Sequence, residues 1–190
     1  IPLEVTRTYN SQDNMRTGLF GYGWVSNLDM KLVYIAGETQ NIAKILMPNG
    51  QRHDFRDNGD GSFTPPLGVF KTLFMDTDGT YILEEKSGMQ YEFDAEGRLT
   101  LIADKNGNEV SISLDENGCP NTIKDGAGRI IQITKGPNGK VSSITDFDGR
   151  TVSYSYDNDA NLVRVTDPLG NVTAFNYDAA HNLTKIVDPN

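Results

Sequence analysis

The sequence predicts an all-β protein dominated by one long, twisted antiparallel sheet of repeating hairpins. Three observations predict it. Asp and Gly recur at a fixed 21-residue interval through the second half, and apolar and polar residues alternate with a period of two between those marks. No stretch carries sustained helical periodicity with caps, so little helix is expected.

The first 80 residues do not obey the repeat, which divides the chain into a non-repeating β region, 1–80, and a hairpin array, 81–190. "IPLEVTRTYNS" reads as a strand leading into a polar loop, and the glycines of "TGLFGYG" mark the far end of that loop. A long alternating run follows. Trp24, Ser26, Leu28, Met30, Leu32 and Tyr34 fall on one face, apolar enough to be buried, and Val25, Asn27, Asp29, Lys31, Val33 and Ile35 fall on the other. Short strands are expected around "IAKILM", "QRHDFRD", "SFTPP" and "VFKTLFM", separated by the hairpin signals Asn49-Gly50, Asn58-Gly59, Asp60-Gly61 and Asp78-Gly79.

The array then declares itself. Asp104, Asp125, Asp146, Asp167 and Asp188 lie 21 residues apart, and Gly107, Gly128, Gly149 and Gly170 stand three residues beyond the first four. A second series runs half a period out of phase through Asp94, Asp115, Gly136, Asp157 and Asp178, the first three followed by Gly97, Gly118 and Gly139. An Asp can bond the backbone two residues on, Pro fixes φ at the next position, and Gly takes the left-handed conformation that closes the turn. Asp167, Pro168 and Gly170 carry all three marks.

Between turns, Met89, Tyr91 and Phe93 are matched one period later by Val110, Ile112 and Leu114, then by Ile131 and Ile133, then by Val152, Tyr154 and Tyr156, then by Phe175 and Tyr177. The return strand reads L-x-x-[IV]-x-D, with Pro120 replacing the leading aliphatic in the second copy. One period is therefore two strands and two tight turns, and five copies make about ten strands, or roughly 45 to 50 Å of sheet.

Composition excludes several functions. A formal charge of -9 with no basic stripe speaks against nucleic acid and anionic membranes as partners. No apolar run approaches the roughly 20 residues of a membrane helix, so no membrane insertion is expected. A single cysteine, Cys119, with only His53 and His181 beside it, offers no zinc spacing and no Cys/His nucleophile pair. The Asp-rich stretches at 57–61 and 76–79 lack the distant Glu of an EF-hand and read as hairpin turns. No cofactor, metal or catalytic residue is expected. The chain opens on Ile1 and stops at Asn190 inside the pattern, so it reads as a piece of something longer.

These marks resemble the Rhs/YD-repeat proteins, bacterial relatives of the teneurins. The likeness rests on Tyr156-Asp157, Tyr177-Asp178 and the "TDPLGN" and "VDPN" phrases that contain Asp167, Pro168, Gly170 and Asp188. The segment that precedes such repeats is resembled by "LEVTRTYNS", with Arg7, Tyr9 and Asn10, and by "GYGW", with Gly21, Gly23 and Trp24, followed by Asp29. Early copies depart from the doublet with Phe93-Asp94, Leu114-Asp115 and Lys135-Gly136, and Ala160 and His181 stand where the turn glycine is expected. Asn161 and Asn182, next in line, are expected to supply the left-handed residue there.

The resemblance implies a sheet that spirals into a large shell, of which this chain is an open fragment. It further implies a structural role in a secreted, surface or toxin-delivery protein, where the shell encloses a carboxyl-terminal toxin absent from this chain. The expected partners are the rest of the parent polypeptide and that enclosed domain. An open sheet edge after Asp188 also invites strand pairing between chains. The alternative is a carbohydrate or cell-surface binding module, with Tyr9, Tyr22, Trp24 and the Tyr154/Tyr156 and Phe175/Tyr177 rows as stacking candidates.

Overall fold

The computed structural model describes residues 1–189 and is all-β. Two single turns of 3-10 helix, at Ser11–Asp13 and Asn27–Asp29, are the helical elements among the described residues. Four short strands come first: β1 (Arg7–Tyr9), β2 (Thr17–Gly18), β3 (Gly21–Tyr22) and β4 (Trp24–Ser26). β1 pairs antiparallel with β4, and β2 with β3.

Six strands follow, β6 to β9 at the expected places: β5 (Lys31–Ile35), β6 (Ile42–Leu46), β7 (Arg52–Asp57), β8 (Ser62–Thr64), β9 (Lys71–Met75) and β10 (Tyr81–Glu85). The repeat supplies ten more. These are β11 (Gln90–Phe93), β12 (Leu99–Ala103), β13 (Glu109–Leu114), β14 (Pro120–Asp125), β15 (Ile130–Lys135), β16 (Val141–Thr145), β17 (Thr151–Tyr156), β18 (Leu162–Thr166), β19 (Val172–Tyr177) and β20 (Leu183–Val187). β5 to β20 run in chain order through one open antiparallel sheet of sixteen strands.

One expectation is corrected. The alternating run from Trp24 to Ile35 is not one strand, because Asn27–Asp29 turns between β4 and β5. Local side-chain bonds win over a continuous ladder. The Asp29 carboxylate accepts the Ser26 amide at 2.8 Å, the Ser26 hydroxyl at 2.7 Å and the Leu19 amide at 3.0 Å. Asn27 meanwhile accepts the Thr6 amide and donates to the Glu4 carbonyl. The burial pattern shifts with the break, since Val25 is buried on the face expected to be open, and Tyr34 is exposed.

The array carries a feature that alternation alone does not announce. Each hairpin closed by the turns at 94, 115, 136, 157 and 178 is bulged, with the register slipping just before Phe93, Leu114, Lys135, Tyr156 and Tyr177. The β12–β13, β16–β17 and β18–β19 pairs keep an unbroken register. A periodic bulge frees backbone groups from the ladder and raises the local twist once per repeat.

The chain forms two compact units. The first joins Ile1–Leu3 to Met30–Arg129, and the second joins Glu4–Asp29 to the strands from Ile130 onward. In the first unit, Phe55, Leu73, Leu83 and Phe93 are fully buried on one face of the sheet. That sheet curls far enough for the outer edge of β5 to meet the turn after β11, where the Leu32 amide donates to the Gly97 carbonyl at 2.8 Å and Lys31 bridges Arg98. Gly97 is required twice over: its φ is +77°, and a Cβ there would lie 2.0 Å from the Leu32 oxygen. In the second unit residues 4–29 pack against Val141, Tyr154, Phe175 and Tyr177.

Candidate functional site

The site is built from the turn upward. At Asp178, one carboxylate oxygen accepts the Ala180 and Asn182 amides at 2.9 Å, and the other accepts the Asn182 side-chain amide at 2.9 Å. Asp157 and Asp167 repeat this with Asn161 and Asn171. Where an Arg stands four residues on, its Nε takes the second oxygen, as Arg98 does on Asp94, Arg129 on Asp125 and Arg150 on Asp146. Hydrogen bonds from Asn171 and Asn182 hold Asp167 and Asp178 below the usual carboxylate range. The Arg or Asn at the fourth position recurs visibly in the sequence, and it is the signal that reveals this lock.

The tyrosine of each doublet does a different job. The Tyr156 hydroxyl donates to the Val141 carbonyl at 2.8 Å, and the Tyr177 hydroxyl to the Leu162 carbonyl at 2.8 Å. Both acceptors lie 15 residues back, on the return strand of the preceding copy, so each tyrosine ties one hairpin to the one before it. Burial pushes the Tyr156 phenol far up and the Tyr177 phenol up to about 12. Phe93, Leu114 and Lys135 occupy the same place in earlier copies without a hydroxyl to offer.

Residues 4–29 dock on this surface. Tyr9 reaches furthest along the chain, donating its hydroxyl to the His181 carbonyl at 2.7 Å while accepting the Leu183 amide at 2.9 Å. Trp24 donates its indole N–H to the Tyr177 hydroxyl at 2.8 Å and packs edge-on against Tyr9 and Phe175. The Arg7 guanidinium lies 5.4 Å from the Trp24 ring centre and 5.3 Å from that of Tyr154. Phe20 packs edge-on against Tyr154, and Tyr22 stacks flat on His181 at 3.8 Å. The Leu19 carbonyl accepts the Val141 amide, and the Lys140 ammonium reaches Thr17 and Gly18.

The glycines of "GYG" serve close approach. A Cβ on Gly21 would lie 2.4 Å from the Ala160 oxygen, and one on Gly23 would lie 2.4 Å from the Tyr9 ring. Asn10 caps the first 3-10 turn through the Gln12 amide and donates its own amide to the Gly23 carbonyl. Thus Arg7, Tyr9, Gly21, Gly23, Trp24 and Tyr177 come together, beside the turns opened by Asp157 and Asp178. Asp167, Pro168 and Gly170 form a turn at the opposite rim of the sheet, and Asp188 follows β20.

A second expectation is corrected here. Ala160 and His181 themselves take the left-handed conformation, with φ of 61° and 62°, and Asn161 and Asn182 do not. The two asparagines are needed one position later, where their amides lock the turn aspartates. Tyr22 and His181 are the contact that repeat reading alone does not find, since partners so far apart in sequence share no local pattern.

Two family profiles match the chain. One, described as a domain of unknown function (DUF6531), covers residues 1–55, and the other, described as RHS Repeat, covers residues 158–190. Together these matches support an Rhs/YD-repeat protein. Among curated proteins, this chain is 32% identical over 115 residues to the tRNA nuclease WapA of Bacillus subtilis. It is 33% identical over 115 residues to the tRNA3(Ser)-specific nuclease WapA of Bacillus spizizenii. Each match spans 60% of this chain and 5% of the relative.

The turn carboxylates spend their oxygens on the turn, and the doublet hydroxyls spend theirs on main-chain carbonyls. Trp24, Tyr154 and Phe175, offered above as sugar-stacking platforms, are 7%, 9% and 6% exposed, covered by one another and by Arg7, Tyr9 and Phe20. No group of three or more His, Cys, Asp or Glu side chains suited to a metal occurs among the described residues.

Proposed function

We propose that this chain is a non-catalytic structural segment of an Rhs/YD-repeat shell in a larger secreted, surface or toxin-delivery protein. The enclosed carboxyl-terminal toxin lies in parts of the parent that this chain does not contain. One observation carries the reading: turn aspartates are consumed by the Asp lock within a turn, and in the last two copies Tyr156 and Tyr177 tie one hairpin to the next. Residues 4–29 lie outside the sixteen-strand sheet and pack on its later strands through Tyr9, Phe20 and Trp24. The names of the curated relatives, nucleases of which this chain matches a small share, support a parent that carries a toxin elsewhere.

The test uses tRNA and the intact parent protein. The 190-residue chain alone leaves tRNA intact, and the carboxyl-terminal domain of the parent resists protease until the repeat region is opened. Cleavage of tRNA by this chain, or a carboxyl-terminal domain digested equally fast with and without the repeat region, would overturn the reading.

A further inference from the structure

Copies related by a fixed period offer a docking segment several near-equivalent places, and a unique structure needs the wrong ones penalised. Residues 4–29 occupy one place on the array, and shifting them by one 21-residue period toward the amino terminus defines the nearest competitor. Several contacts would survive that shift. Tyr177 would be replaced by Tyr156, Asn182 by Asn161 and Leu183 by Leu162.

Four contacts would not survive. His181, whose ring stacks on Tyr22 at 3.8 Å and 14°, would be replaced by Ala160, which has no ring. Val141, whose amide donates to the Leu19 carbonyl at 2.9 Å, would be replaced by Pro120, which has no N–H. Lys140, whose ammonium lies 2.6 Å from the Thr17 hydroxyl and 3.0 Å from the Gly18 carbonyl, would be replaced by Cys119. Tyr154, which gives Arg7 a ring face, would be replaced by Ile133.

We propose that His181, Val141, Lys140 and Tyr154 are the specificity-determining residues by which segment 4–29 selects its register on the array. The places where copies depart from the repeat are then the code that the segment reads, rewarding one register and leaving unpaired groups in the other. His181 shows this most clearly. It holds a left-handed φ of 62° that glycine would adopt at less cost, and its Nδ1 lies 2.7 Å from the Asn161 oxygen, whose own amide is fixed on Asp157. The ring is kept because Tyr22 reads it. This inference goes beyond the shell and holds whether or not a toxin is enclosed.

The test is amide hydrogen exchange on the full chain, read at Leu183, which Tyr9 holds, and at Val141, which Leu19 holds. In His181→Gly the segment loosens and Leu183 exchange rises roughly tenfold, while ladder amides of β17 and β18 keep their protection. A mere turn role predicts the opposite sign, because glycine relaxes the turn. Adding Tyr22→Ala to His181→Gly raises the rate no further, since the two act as one contact. Lys140→Met, away from the strained turn, raises Val141 exchange and carries the test if His181→Gly loses strand protection generally. Wild-type exchange at Leu183 in a folded His181→Gly, or at Val141 in Lys140→Met, would overturn the proposal.

Discussion

The Tyr177 hydroxyl donates to the Leu162 carbonyl at 2.8 Å and accepts the Trp24 indole N–H at 2.8 Å, so one phenol joins a repeat to its predecessor and to residues 4–29. Tyr177→Phe removes both bonds and leaves a half-buried carbonyl and an indole N–H unsatisfied. We expect a loss of about 1 to 3 kcal/mol in urea-induced unfolding of the second unit. Tyr156→Phe, which breaks the single bond to Val141, costs less.

The turn glycines separate into two classes. Gly149 has a φ of +80° and open space around its missing Cβ, so Gly149→Ala carries only the left-handed penalty of about 1 to 2 kcal/mol, partly offset by a stiffer unfolded chain. Gly97→Ala adds a clash with the Leu32 oxygen 2.0 Å away, and overpacking of that kind costs about 1 to 3 kcal/mol more. Denaturant titration of the two variants is expected to rank Gly97→Ala as clearly the more destabilised.

Alkaline pH is expected to destabilise the second unit through its tyrosines. Tyr177 is raised by burial to about 12 against about 10 in the unfolded chain, and Tyr156 is raised too. Their contribution is complete below pH of about 10 and is lost as pH climbs through the folded value. Monitoring Trp24 fluorescence against pH is expected to show a transition within that window, moved by Tyr177→Phe.

At the acid end the sign reverses. Asp167 and Asp178 are lowered by their Asn partners, so their support is present above the ordinary carboxylate value of about 3.9 and is lost as pH falls through the folded value. Carboxylate titration followed by NMR is expected to place both below the ordinary carboxylate value, and Asn171→Ala is expected to move Asp167 back up.

The turns and strands of the array were legible because their chemistry is local. Asp, Pro and Gly act within four residues, and alternation states which face is buried. What stayed hidden depends on distance along the chain or on competition. The break at Asn27–Asp29 arises because Asp29 bonds Leu19 and Ser26 in place of a continuing ladder. Ala160 and His181 keep the left-handed position, and the docked segment that uses them lies more than 130 residues earlier. The bulge at each doublet was invisible because one slipped residue leaves the apolar pattern of the outgoing strand unchanged.

Trp24 is the sole tryptophan of the chain, so its indole N–H gives one resolved NMR signal that reports directly on the docking of residues 4–29 over the YD tyrosines. Our account predicts a slowly exchanging indole proton with a nuclear Overhauser contact to the Tyr177 ring, and loss of that protection in Tyr177→Phe. A rapidly exchanging indole with no contact to Tyr177 in the folded chain would contradict it.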